Sequence, residues 1–360
     1  MYATNHIFFH DDIDGIICAA LWLHEHIKEN YRLYPVSSSM RGEKFDDLIS
    51  SIHKLHKDDK KIVLDYQFHK EADVWVDHHF DPKFGEDEIK KPNFFYDPKS
   101  PSAARLLVDV SMPISGLDSV DMIDSGSYPD VDYIFQSTSP LMVLRAYLEK
   151  VMPSDMTYCR IVEVIANSDL DVETAIYRMC IGKRHVKILE ANAREIKKSM
   201  IIIGDLSIVD QRRRNQFPRY SEYLVKPDVR YSLRLTRIGN NVANLQLGFN
   251  QFQKTPNNIN IGKMLMDLAP QYIIRGGGHH NVGAGMLVED NVDEFIDKLS
   301  DILNKGNDME KLAVDATDPI ELTASLMVKT GSVNSLDEAR KQASEKTKLT
   351  TEDIDGSRKV

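Results

Sequence analysis

The chain has 360 residues, 42% hydrophobic and 8% aromatic, enough for two ordinary domains and an appendage and too much for wholesale disorder. A formal net charge of −10 disfavours tracking along duplex DNA, which calls for a basic stripe, and leaves short anionic partners open. No apolar run approaches the ~18 residues of a membrane span, the N-terminus lacks a signal-peptide layout, and Cys18, Cys159 and Cys180 form neither a zinc spacing nor an even disulfide set, so a cytoplasmic protein with no membrane partner is expected.

The first strand is expected around Ile7 to Phe9. It leads through HDDIDG into a helix whose apolar positions Ile16, Ala19, Ala20, Leu23 and Ile27 follow helical spacing. The segment from Tyr31 reads as the next strand and EKFDDLISSIHKLH as the next helix, followed by KKIVLD and DVWVD as strands. PSAARLLVDV starts a further helix, with Pro101 in its first turn and Ser100 as its cap. GLDSVDMIDSGSYPD is helical until its Ser-Gly and Pro breakers. Alternating strands and helices imply an α/β fold with a parallel sheet, assigned to residues 1–140.

Residues 141–200 read as a helical linker to a smaller α/β domain over 201–305. There IIIGDLSIVD reads as one strand, and RYSLRLTRIG and VANLQLGFNQF as antiparallel strands turning at Gly239-Asn240-Asn241. NINIGKMLMDLAPQ is a helix, RGGGHHNVGAG a loop, GMLVED a strand and NVDEFIDKLSDILNK an amphipathic closing helix. Residues 306–360 form a polar, partly helical extension.

Three of the early apolar runs end in side chains that bind metals: His10, Asp12 and Asp14 after the first, Asp65 after KKIVL, and Asp77, His78 and His79 after DVWV. In a parallel sheet the carboxyl ends share one edge, so these groups converge on one crevice. Such crowding of carboxylates calls for cations. Imidazole with carboxylate suits Mn²⁺, Co²⁺ or Fe²⁺ better than calcium. His10, Asp12 and Asp14 alternate, which places them on one face of an extended backbone, and Gly15 lets the chain turn into the helix. A carboxylate such as Asp65 could bridge two ions ~3.5–4 Å apart. Asp11 reads as a helix-start residue or as one that supports the ligands from behind, rather than as a ligand. In the second half, Gly276, Gly277 and Gly278 allow backbone N–H groups to approach an anion, and His279 can reach a phosphate.

HDDIDG, the aspartate of IVLDY, VDHHF and an aspartate of DMIDSGSY resemble the four signature blocks of the DHH phosphoesterase superfamily, and RGGGHHNVGAG resembles the GGGH loop of its DHH-associated domain. The resemblance covers most of residues 1 to about 305. It implies an α/β DHH domain joined by a helical linker to a smaller α/β domain, with the active site in the cleft between them. It implies two divalent ions, Mn²⁺ first, with Mg²⁺ or Co²⁺ as alternatives. By similarity, His10, Asp12 and Asp65 would hold one ion, and Asp14, Asp65, His78 and a fourth-block aspartate the other. For that aspartate Asp124 is preferred to Asp121, because it precedes Ser-Gly where a helix ends. His79 would contact the scissile phosphate or act as general acid, and Asp77 would orient the histidines. His279 or His280 would take the loop-histidine position, His279 first. The arginine found on a nearby strand in many relatives is replaced here by Asn250, so Arg234, Arg237 or Arg275 would stand in.

The resulting expectation is a two-metal phosphodiesterase or exonuclease that cuts short single-stranded oligonucleotides to 5′-mononucleotides. A cyclic-dinucleotide or 3′-phosphoadenosine 5′-phosphate hydrolase is the alternative within the same chemistry. Inorganic pyrophosphatase or polyphosphatase is a weaker fit because of the GGGH loop, and a non-catalytic nucleotide-binding protein weaker still. A homodimer is left open.

Overall fold

The computed structural model describes residues 3–315, apart from 27–28, 41, 53–55, 80–90, 109–115, 213–215, 240, 270 and 279, and for Ser39, Gly239 and residues 305–315 the backbone alone. The chain divides into two compact units between Arg194 and Glu195. No helix among the described residues is long and apolar enough to cross a membrane.

In the first unit, strands β1 (Thr4–His10), β2 (Asn30–Val36), β3 (Lys60–Leu64), β4 (Val74–Asp77) and β5 (Phe94–Tyr96) form a sheet of order β2-β1-β3-β4-β5. Every neighbouring pair is parallel. From Asn5 to His10 every residue of β1 is buried, as befits a central parallel strand covered on both faces. Helices α1 (Ile13–Glu25) and α2 (Glu43–Ser51) supply those covers. On one face Phe8, Val63 and Trp75 pack with Phe45 and Ile49 of α2. α1 buries Ile16, Ala19, Ala20 and Leu23 completely. Each large apolar side chain so enclosed contributes about 1.5–3 kcal/mol relative to exposure. The chain leaves β1 for β2 on one side and then crosses to β3 on the other. The switch point at which crevices open therefore lies at the carboxyl ends of β1 and β3.

Several expected elements differ in detail. The strand β5 was not anticipated, because three residues of FFY carry no usable period. The helix from Ala103 to Leu107, α3, is capped by Ser102, whose Oγ accepts the Arg105 N–H, and not by Ser100 with Pro101 in the first turn. α4 (Leu117–Ser125) ends as its Ser-Gly signal indicates, with Gly126 left-handed at φ 69°. After α5 (Val131–Gln136) come the helices α6 (Pro140–Val151), α7 (Asp155–Ala166), α8 (Val172–Arg178) and α9 (Arg184–Arg194), over most of the stretch expected to be a helical linker. They belong to the first unit, where α7 packs on α1 and β2, and α9 on α5 and α6. Apolar residues such as Ile161, Val162 and Ile165 need that cover.

The second unit is a six-stranded sheet of order β10-β11-β9-β8-β7-β6. The run expected as one strand splits into β6 (Met200–Ile203) and β7 (Leu206–Asp210), an antiparallel hairpin turning at Gly204, whose φ is 58°. After α10 (Ser221–Val225), β8 (Tyr231–Gly239) and β9 (Val242–Phe249) pair as expected around Asn241 at φ 56°. α11 (Ile261–Leu268) is capped by Asn260, whose side chain accepts the Lys263 N–H. The glycine-rich segment expected as a loop begins as strand β10 (Arg275–Gly278), antiparallel to β11 (Val282–Val288). α12 (Val292–Asp315) closes the unit, and the extension beyond it lies outside the described residues.

Candidate metal centre

The ligand-type side chains of the first unit are placed by a strand end or by the first turn after one, except Asp124, which lies in the last turn of α4. β1 stops at His10 and α1 begins at Ile13, so His10, Asp12 and Asp14 do not lie along one extended run. Asp12, rather than Asp11, is the N-cap: its Oδ1 accepts the Gly15 N–H at 3.0 Å. Its Oδ2 lies 2.7 Å from His10 Nδ1. Gly15 is needed for close approach and not for a turn, since a Cβ there would sit 2.2 Å from the His10 carbonyl oxygen. Asp65 follows β3 in the left-handed region at φ 54°, unusual for an L-residue, with its N–H donating to Val76 O at 2.7 Å. That backbone conformation delivers its carboxylate to the middle of the crevice.

Around Asp65 the ligand-type atoms gather in three groups, each within 4.8 Å: His10, Asp12 and Asp65; Asp65, His78 and His79; Asp14, His78 and Asp124. Asp65 Oδ2 is 3.5 Å from His10 Nδ1, and Oδ1 is 3.8 Å from His78 Nε2 and 3.7 Å from His79 Nδ1. Those distances are too long for hydrogen bonds. Both Asp65 oxygens are buried and accept none among the described residues. A buried, unsatisfied carboxylate costs more than the ~1–3 kcal/mol of a neutral polar group, so this centre fits a cation.

The histidines are oriented for the same purpose. With His10 Nε2 bonded to Ser38 Oγ at 2.8 Å, Nδ1 is the atom directed at the carboxylates. His78 Nδ1–H donates to the Ser100 carbonyl at 3.0 Å, and Nε2 sits 3.0 Å from Asp124 Oδ2 and 3.7 Å from Asp14 Oδ2, without hydrogen-bond geometry to either. Asp77 is 2% exposed, and its Oδ1 accepts the N–H of His78 at 2.8 Å, the N–H of His79 at 3.1 Å and His79 Nδ1–H at 2.8 Å. His79 Nε2 takes part in no hydrogen bond among the described residues, and its side chain is 39% exposed. Asp124 joins the cluster, whereas Asp121 accepts from Ser102 and Arg105 instead.

The charge is crowded enough to disturb protonation. Burial, together with Asp14, Asp12 and Asp124, drives the Asp65 carboxyl well above its usual range. Burial, Asp124 and Asp12 push Asp14 up to about 8, against the opposing N–H groups of Ala104 and Ala103. Burial also raises Asp12, but His10, the Gly15 N–H and His79 outweigh it and hold the carboxyl at about 2. His78 is lowered by burial but carried to about 9 by Asp124, Ser100 and Asp14. Divalent cations would relieve this repulsion directly.

In the second unit the glycines have a packing account. A Cβ on Gly262 of α11 would lie 2.3 Å from Gly278 O, and one on Gly276 would lie 2.6 Å from Ile273 Cδ1. Helix α11 is thus held against the hairpin backbone. Gly278 sits at φ 148°, and a Cβ there would meet Val282 O at 2.4 Å. His280 Nε2–H donates to Asn257 O at 2.8 Å. His279 lies outside the described residues. Of the candidate arginines, Arg234 is buried and occupied by Glu222, Phe217 O and Pro218 O, while Asn250 bonds Pro227 O and Val229 O. Arg237 lies 3.4 Å from Glu289, and Arg275 is exposed with Nε 3.1 Å from Met286 Sδ. The contacts of Ser38 with His10 and of Ser100 with His78 have no signal in the sequence, where Ser100 reads only as a helix cap, since a serine's contact to a histidine far along the chain leaves no periodic trace.

No family model and no curated protein matches the sequence. Solved structures do match. A pGpG-specific phosphodiesterase, PggH from Vibrio cholerae, superposes with a TM-score of 0.59 at 17% identity, covering 84% of this chain and 99% of that one. The DHH domain of a protein described as a member of the s1p family of ribosomal proteins gives 0.46 at 14% identity, over 84% of this chain and 86% of that one. RecJ from Thermus thermophilus in complex with Mn²⁺ gives 0.45 at 12% identity, over 84% and 52%. At these identities the likeness is one of fold, and it rests on the first of the three.

Proposed function

We propose that the chain is a divalent-metal-dependent phosphodiesterase that hydrolyses short single-stranded oligonucleotides to 5′-mononucleotides, with linear dinucleotides at the short end of its range. The observation that carries this reading is Asp65, a buried carboxylate without hydrogen bonds, ringed by imidazoles and further carboxylates. In this reading His10, Asp12 and Asp65 hold one ion, and Asp14, Asp65, His78 and Asp124 the other, with Mn²⁺ the first candidate. When bound, such ions neutralise phosphoryl oxygens and lower the pKa of a coordinated water. The protein's own groups then divide the remaining work. His79 gives a proton from Nε2 to the departing 3′ oxygen, and Asp77 keeps the ring oriented through Nδ1–H. For the second unit, a phosphate contact by His279 is supported by the resemblance of RGGGHHNVGAG to the GGGH loop, whereas Gly276 and Gly278 have a packing role and His280 is bonded to Asn257 O.

The preference for short substrates is supported by the net charge of −10, which makes a long polyanion a poor partner. The pGpG specificity named for PggH concerns a linear dinucleotide and points the same way. Cyclic dinucleotides and 3′-phosphoadenosine 5′-phosphate suit the same centre and are arms of the test. Hydrolysis is measured with Mn²⁺ on di- to pentanucleotides, a twenty-nucleotide strand, cyclic dinucleotides, 3′-phosphoadenosine 5′-phosphate and pyrophosphate. The expected result is kcat/KM highest for two to five nucleotides. Efficiency that climbs steadily with length, or turnover of pyrophosphate alone, would overturn the proposal.

A further inference from the structure

Asp121 precedes Asp124 by one turn of α4, and its partners carry a consequence for the metal centre. Ser102 Oγ donates to Asp121 Oδ1 at 2.5 Å, and Arg105 donates from Nε to Oδ2 at 2.8 Å and from Nη2 to the same oxygen. Arg105 Nη2 also reaches Asp118 Oδ1 at 2.7 Å, but Asp118 is 97% exposed and that pair is worth little in water. Asp121, with a side chain 14% exposed, is the stronger anchor.

The segment tied down in this way is the one that orients the neighbouring ligand-type residues. α3 has five residues, too few to be stable alone, and its place depends on what grips it. Its first amides, Ala103 N–H and Ala104 N–H, donate to the two oxygens of Asp14 at 2.6 and 2.9 Å. Just upstream, the Ser100 carbonyl accepts His78 Nδ1–H at 3.0 Å, and Ser100 Oγ donates to Ser102 O at 2.7 Å. Asp124 rides on the helix that carries Asp121. All three members of the Asp14, His78 and Asp124 group therefore depend on one junction. In the His10, Asp12 and Asp65 group, the contacts to Ser38, Gly15 N–H and Val76 O do not pass through it.

We propose that Asp121, Arg105 and Ser102 form a positioning clamp that sets the affinity for the ion held by Asp14, His78 and Asp124 separately from the ion held by His10 and Asp12. This rests on the metal-centre reading above. Residues that orient metal ligands typically alter affinity ~10–100-fold when lost. The test is Mn²⁺ titration of the full chain, wild type against Arg105→Ala, Arg105→Lys and the isosteric Asp121→Asn, with circular dichroism to confirm folding. The wild type should bind two ions. Arg105→Ala and Asp121→Asn should keep one at unchanged affinity and bind the other ~10–100-fold more weakly. Arg105→Lys, which retains charge but not the fork, should lie between, and excess Mn²⁺ should restore kcat. Equal weakening of both ions, or no change in either, would overturn the clamp while leaving the metal centre intact. A wild type that binds no Mn²⁺ would sink the metal-centre reading and the clamp with it. Arg105→Lys and Asp121→Asn keep the outcome decisive if Arg105→Ala does not fold.

Discussion

At the carboxyl edge of the first unit's sheet, Asp65 is buried with no hydrogen bond to either oxygen among the described residues, and sits at a left-handed φ of 54°. Around the hairpin of the second unit, described polar groups find protein partners. His280 donates to Asn257 O, Asn257 donates to Ile259 O and Asn281 Oδ1, and Ile261 N–H donates to His280 O. Both regions are dense in motif residues, yet they differ in what they still lack. A buried carboxyl group without hydrogen bonds, among further carboxylates and imidazoles, fits a cation. Matched polar groups around glycines explain themselves by packing. Residue density alone would have ranked the two regions alike, whereas hydrogen-bond accounting separates them.

The sharpest way to break the comparison is Asp65→Ala. It should abolish turnover and lower Mn²⁺ stoichiometry, yet the metal-free protein should melt no lower than wild type, since repulsion among Asp14, Asp12 and Asp124 is relieved. Normal Mn²⁺ stoichiometry and activity in this variant would end the bridging assignment. Next, His79→Ala should bind both ions and lose about 10²–10⁴-fold in kcat, whereas His78→Ala should weaken metal binding. Single-turnover kinetics with metal titration tells the two apart, and equal metal loss in both would mean the roles are exchanged or shared.

The second unit is probed by its own pair. His279→Ala should reduce kcat/KM on dinucleotides with metal content intact, and His280→Ala should mainly lower the melting temperature, because its ring holds Asn257 O. A larger catalytic defect for His280→Ala would reverse the register. Gly283→Ala should destabilise by about 1–3 kcal/mol through overpacking, since the new Cβ would meet Leu265 Cδ1 at 2.6 Å and Gly277 O at 2.9 Å. Denaturant unfolding measures this, and an unchanged midpoint would show that the hairpin yields easily.

A gentler probe is pH. Asp14 is raised from 3.8 to about 8 and His78 from 6.5 to about 9, so between pH 5 and 9 the folded, metal-free protein binds more protons than the unfolded chain. Its stability is therefore greatest at the acid end of that range and falls as pH rises through the folded values. The lowered Asp12 acts only below about pH 4 and does not change the sign in this range. Melting temperature without metal should decline from pH 5 to 9, and the increment given by Mn²⁺ should grow, because ligands must shed protons to bind. A flat or rising metal-free profile would mean that the carboxylates do not share protons as described.

Much of the first unit was legible in the chain. Short β-branched and aromatic runs mark β1, β3 and β4, and the parallel-sheet rule places His10, Asp65 and His78 along one edge. What the sequence determined by itself was local: element periods, the left-handed stop at Gly126 and the kinds of side chain at each strand end. Tertiary structure decided the rest. It separated Asp124 from Asp121, although both lie on α4, because only tertiary neighbours show that Ser102 and Arg105 occupy Asp121. It made Asp12 the helix cap, assigned helices α6 to α9 to the first unit and turned part of the glycine loop into strand β10. The physical reason is range. A period or a turn is set by neighbours a few residues apart, whereas the hydrogen bond that fixes Asp14 comes from Ala103, 89 residues along the chain, and exists only once the fold has brought the two together.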